Sequence, residues 1–127
     1  MKRTLILTTL CGMLAALAAG APASAKGGDI RVTGTCSGPS SAKLKLSEEN
    51  GRIEVEFEVD QNRNGVRWNV VLKRNGVQVA RLARVTKAPS GSFSARKVVA
   101  NSAGADVIRA TATRAGETCS AKATFPA

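Results

Sequence analysis

The chain has 127 residues, with 19 Lys and Arg against 9 Asp and Glu, a formal charge of +10, and neither histidine nor tyrosine. Without histidine there can be no Ser-His or Cys-His catalytic pair, and the commonest zinc ligand is missing. At this length the chain holds one domain with a single core, and small domains bury proportionally less of their surface and often need covalent help, which gives its three cysteines weight.

The first 25 residues read as a helical secretory signal peptide. Lys2 and Arg3 give the positive start, residues 5–19 the apolar stretch, and Ala23-Ser24-Ala25 the small-x-small cleavage signal, placing the cut between Ala25 and Lys26. A membrane span would need about 20 continuous apolar residues, and this run is broken by Gly20 and Pro22. Cys11 follows Leu10 rather than a small residue, unlike the lipidated cysteine of a lipoprotein, and no twin-arginine pair is present. Residues 26–127 then form one secreted, extracellular domain. In an oxidising compartment its two cysteines, Cys36 and Cys119, are expected to pair and to tie the first strand to the last. Neither belongs to a C-x-x-C motif or has a basic neighbour in sequence that would mark a redox nucleophile.

Short runs of alternating polarity predict strands in chain order: 29–37, then 41–47, with Glu48-Glu49-Asn50-Gly51 as a turn. Residues 52–60 are the clearest strand. Ile53, Val55, Phe57 and Val59 lie on one face, and Arg52, Glu54, Glu56, Glu58 and Asp60 on the other, so four carboxylates should meet water. The 66–74 strand carries Trp68, Val70 and Leu72 inward, and Asn75-Gly76 supplies a two-residue turn with positive φ at both positions, leading into 77–85. Further strands are expected at 92–100, 106–114 and 117–125, the last two joined through Ala115-Gly116. Seven to eight short strands without helices indicate an all-β antiparallel sandwich. Two pairings of 52–60 and 66–74 fit. As a hairpin they would set Phe57 opposite Trp68 and Glu58 opposite Arg67; in an immunoglobulin-like sandwich they lie in opposite sheets, and this second arrangement is the preferred one.

The segments Cys36-Ser37-Gly38, Gly51-Arg52-Ile53-Glu54-Val55, Ser90-Gly91-Ser92-Phe93, Ala103-Gly104-Ala105-Asp106 and Gly116-Glu117-Thr118-Cys119 resemble those of small secreted immunoglobulin-like β-sandwich proteins of actinobacteria. The resemblance covers most of the exported chain. It implies fold and export, and carries no active site across. The enediyne-carrier apoproteins of the same bacteria are similar in size and architecture, but they are acidic and have two internal disulfides.

Several chemistries can be weighed against the residues. Glu54, Glu56 and Glu58 share a strand face as a glycosidase pair could, but that solvated face carries no aromatic to stack a sugar, Phe57 alternating to the other face. Asp60-Gln61-Asn62-Arg63-Asn64-Gly65 opens like a calcium loop. Its twelfth position is Val71 rather than Glu, and Arg63 sits where the ion would, so these residues read as turn formers and no metal or cofactor is expected. The aromatics Phe57, Trp68, Phe93 and Phe125 all fall on inward faces, which leaves no stacking platform for specific nucleic-acid recognition.

Charge is the remaining signal. Residues 26–60 hold five bases and seven acids, whereas residues 61–127 hold twelve bases and two acids. Arg63, Arg67, Lys73, Arg74, Arg81, Arg84, Arg96 and Lys97 are the expected contacts for a polyanion, since arginine pairs bidentately with phosphate and carboxylate and the summed field attracts anionic polymers. The reading is a non-catalytic secreted binding module for an anionic cell-wall polymer or membrane surface. The competing readings are a small inhibitor or toxin acting on an unidentified protein partner through loop 61–65 or 87–91, and a carrier of an apolar ligand.

Overall fold

The computed structural model describes residues 28–127; the expected signal peptide, with Cys11 and the expected Ala25/Lys26 cleavage point, lies outside the described residues. Nine strand segments follow one another without a helix among the described residues: β1 (Ile30–Thr33), β2 (Thr35–Cys36), β3 (Ser41–Glu49), β4 (Arg52–Asp60), β5 (Arg67–Arg74), β6 (Val77–Val85), β7 (Ser92–Val99), β8 (Asp106–Arg114) and β9 (Glu117–Phe125). They form two antiparallel sheets, β1-β3-β4-β7 and β2-β9-β8-β5-β6.

The expected single strand 29–37 is divided between the two sheets at Gly34. A Cβ there would meet the Ser120 carbonyl oxygen at 2.6 Å and the methyls of Ala42 and Ala121 at 3.1 and 3.2 Å, so only glycine lets the chain cross between the sheets. Its amide remains satisfied by the Ala42 carbonyl at 2.8 Å. β3 also runs two residues past its expected end. Asn50 and Gly51, at φ of 48° and 78°, make a tight turn that lets Glu49 pair with Arg52, the same chemistry as Asn75-Gly76.

β4 pairs with β3 and β7 in the first sheet, and β5 with β6 and β8 in the second, so the hairpin between them does not form and Glu58 stands beside Lys43 and Ser94 instead of Arg67. The core lies between the sheets. Leu44, Leu46, Ile53, Val55, Phe57 and Val59 of the first face Trp68, Val70, Leu72, Ile108 and the small side chains Ala110, Ala112, Ala121 and Ala123 of the second. Both sheets contribute large side chains, and the alanines of β8 and β9 leave room for those that face them. All four aromatics are buried, and Trp68 packs on Phe93 with ring centroids 6.0 Å apart.

Cys36 and Cys119 are direct partners in the β2–β9 ladder, their Cα atoms 4.0 Å apart, and form the disulfide. Bridging a two-residue strand to the last strand fixes an edge that two ladder positions alone would hold weakly.

At the same end of the sandwich, two of the connections that cross between sheets, 61–66 and 86–91, are bound together. The Gln61 amide donates to Gly91 and the Gly65 amide to Thr86, at 3.0 and 2.7 Å. The buried Thr86 hydroxyl donates to the Arg63 carbonyl at 2.6 Å and accepts from the Val66 amide at 2.9 Å, while the Trp68 indole N–H donates to the Gln61 side chain at 3.0 Å. Within the 60–65 segment the Asp60 carboxylate accepts the Asn62 amide at 3.0 Å, a turn-forming use of these residues.

Candidate anion-binding face

The two outer sheet faces differ in charge because of how the strands are paired. On the first sheet, cross-strand pairing brings bases of one strand to acids of the next: Lys43 beside Glu58, Lys45 beside Glu56, and Arg96 of β7 also beside Glu56. Lys45 and Glu56 approach to 3.3 Å, and Arg96 reaches diagonally to Glu54 at 2.6 Å. The expectation that four carboxylates of β4 face water is corrected at Glu54, which is buried against Arg96. The hydrogen bond from that guanidinium outweighs burial and holds the Glu54 carboxyl below its ordinary value. A cleft of about 430 Å³ beside β1 and β3 is lined by Arg31, Thr33, Lys43, Lys45, Glu56 and Glu58, so its charges are also interleaved.

The outer face of the second sheet has no acid among the described residues. Alternation places Arg67, Asn69, Val71 and Lys73 of β5 outward, with Arg109, Thr111 and Thr113 of β8 and Thr118, Ser120, Lys122 and Thr124 of β9. Arg81 of the edge strand β6 stands opposite Val71. The register sets Lys73 directly opposite Arg109, and Arg109 directly opposite Lys122. Among the described residues, none of Arg67, Lys73, Arg81, Arg109 and Lys122 takes part in an ion pair.

The eight cations singled out from the sequence are therefore not gathered on one surface. Arg67, Lys73 and Arg81 share this face. Arg96 is neutralised by Glu54, and Lys97 lies exposed on the edge strand β7. Arg84, on the inward side of β6, bonds the carbonyls of Ala83 and Ser94 at 2.8 and 3.4 Å, the second reaching across to β7, as an inward charge protecting an open edge. Arg74 donates to the Ala100 carbonyl at 2.7 Å and lies 3.9 Å from Asp106. Arg63 sits in the loop tied to 86–91. Arg109 and Lys122 were not singled out by sequence reasoning, although both lie on the polar face of clear alternating strands.

The only two acids of the second half are buried and occupied in holding the fold together. Asp106 accepts from the Ser102 amide and the Asn75 side-chain amide, each at 3.0 Å, and from the Ser102 hydroxyl, pinning loop 100–105 to the 75–76 turn. Glu117 accepts the Ser40 amide and hydroxyl at 3.0 and 2.8 Å and pairs with Arg114 at 3.0 Å, while the Arg114 guanidinium lies 5.5 Å from the Trp68 ring centre. For both acids burial alone would raise the pKa. The hydrogen bonds from Ser102 and Asn75 with Arg74, and from Ser40 with Arg114, outweigh it and hold both carboxyls below their ordinary values.

No protein-family model, curated protein or solved structure matches the chain.

Proposed function

We propose that the chain is a secreted, non-catalytic, immunoglobulin-like β-sandwich that attaches to anionic polymers at the cell surface. The observation that carries this reading is the acid-free outer face of the second sheet, where Arg67, Lys73, Arg81, Arg109 and Lys122 project without a carboxylate partner. Such a face draws in a polyanion through its summed field, and binding releases the counterions condensed on the polymer. The Cys36–Cys119 disulfide is compatible with an extracellular setting. The absence of histidine and the engagement of Asp106 and Glu117 in structural contacts support a binding role over catalysis.

The test is co-sedimentation of the oxidised domain 26–127 with purified cell walls, intact or stripped of their polyanions, across a salt series. Binding to intact walls that weakens with salt and disappears on stripping supports the reading; no binding at low salt refutes it. A second reading, an inhibitor acting through loop 87–91, draws support from the bonds that fix this loop against 61–66, because a rigid loop binds at low entropic cost. Replacing 87–91 with Gly and Ser would abolish inhibition of a partner while leaving wall binding intact.

A further inference from the structure

Resting on the proposed polyanion reading, we infer that the binding element is the cross-strand row Lys73–Arg109–Lys122, and that its ligand is a linear phosphate-bearing polymer lying across β5, β8 and β9. Like charges directly opposite in an antiparallel ladder repel. The first sheet has one such pair, Arg31 opposite Lys45, but each member has its own carboxylate, Asp29 at 3.1 Å from Arg31 and Glu56 at 3.3 Å from Lys45, and acids likewise stand beside Lys43 and Arg96. The second sheet instead stacks three cations on adjacent strands about 5 Å apart. An anionic ligand removes this repulsion, so the arrangement is stabilised by what it binds.

The surroundings of the row specify the ligand further. Arg109, at its centre, offers a planar fork that can hold one phosphate through two parallel N–H···O bonds, and Lys73 and Lys122 flank it as point charges. Beside it Thr111 and Ser120 on one side and Thr124 on the other supply hydroxyls to the remaining phosphate oxygens and to a polyol backbone. Arg81 extends the charge toward the β6 edge. A lipid surface fits less well. Membrane-docking faces insert aromatic or large apolar side chains at the headgroup level, whereas all four aromatics here are buried and the largest exposed apolar side chains are three short valines, Val77, Val85 and Val107.

Two triple variants of the oxidised domain remove the same charge from different places: Lys73→Gln with Arg109→Gln and Lys122→Gln, and Lys43→Gln with Arg52→Gln and Lys87→Gln. All six side chains are exposed, and circular dichroism and thermal melting serve as the check that both variants fold. Affinity for a glycerol-phosphate polymer is measured from low to high salt. The row variant should lose at least about tenfold at low salt and flatten the slope of log K against log salt by about 2, at roughly 0.7 per lost contact. The other should stay within about threefold of the parent with its slope unchanged. Equal losses in the two variants would overturn the row while leaving general polyanion binding in place. Tighter binding to vesicles of anionic phospholipid than to the polymer, or equal binding of a polycarboxylate such as poly-glutamate, would overturn the choice of ligand. No binding by the parent would remove the underlying reading as well.

Discussion

Replacing Cys36 and Cys119 together by alanine is expected to remove the largest single contribution to stability in this domain. The two residues are 83 apart in sequence, and a cross-link closing a loop of that size removes about 4.5 kcal/mol of unfolded-state freedom at room temperature in the chain-entropy model. For a domain of about 100 residues, whose unfolding entropy is roughly 0.2 kcal/mol/K, this corresponds to a fall in Tm of about 20 °C. The structure also says where the loss begins. β2 has only two ladder residues, and Ser40, four residues beyond Cys36, supplies two of the hydrogen bonds to the buried Glu117. The assay is urea unfolding of the oxidised domain, the reduced domain and the alanine variant, followed by Trp68 fluorescence. Because the constraint acts on the unfolded chain, the m-value should rise as the midpoint falls, since the uncrosslinked chain exposes more surface. A destabilisation below about 1 kcal/mol, or a loss of stability with unchanged m, would refute the entropic account and leave the bridge as a local clamp on β2.

Three further outcomes follow from buried contacts. Asp106→Ala should cost about 3 kcal/mol, because it leaves the donors of Ser102 and Asn75 unpaired, and amide exchange should quicken first in loop 100–105; uniform exchange across the domain would contradict the pinning role. Gly91→Ala should destabilise by about 2 kcal/mol or more, since φ is +68° and the new methyl would meet the Arg63 backbone, including its carbonyl carbon at 2.8 Å; a neutral result in thermal melting would show that the two loops separate readily. The folded-state pKa values of Glu54, Asp106 and Glu117 are depressed, so their contribution is fully present above the ordinary carboxylate range near pH 4 and is lost as pH falls through the lower folded values; with no histidine in the chain, denaturation midpoints should be flat from pH 5 to 8, and a transition inside that window would contradict this assignment.

The strands were legible wherever burial is one-sided. The alternation of Ile53, Val55, Phe57 and Val59 gives β4 its bounds, and the Asn75-Gly76 turn defines the β5–β6 hairpin, because both signals are local. The break at Gly34 was not legible, since what demands glycine there is the approach of Ala42, Ser120 and Ala121, two of them more than 80 residues away. The burial of Glu54 was hidden for a similar reason: its partner Arg96 lies on β7, brought alongside only by the β4–β7 register. Arg109 and Lys122 stood in plain view as outward residues of β8 and β9. Their importance comes from lying opposite each other and Lys73, which requires knowing that β8 sits between β5 and β9.

The same pairing explains how a chain with acids mostly in its first half becomes a molecule with one neutral face and one basic face. The acids of β4 could have offset the bases of β5 had the two formed a hairpin, with Glu58 opposite Arg67. Chain order instead sends β5 to the other sheet and leaves β4 between β3 and β7, whose Lys43, Lys45 and Arg96 absorb its carboxylates. Nothing on β8 or β9 returns the favour to β5, because the two acids there, Asp106 and Glu117, are drawn inward to brace loop 100–105 and Ser40. Fold topology, more than total charge, therefore creates the acid-free basic surface. A hairpin between β4 and β5 would have set acid against base; the observed topology leaves the row Lys73, Arg109 and Lys122 on β5, β8 and β9 without an ion pair among the described residues.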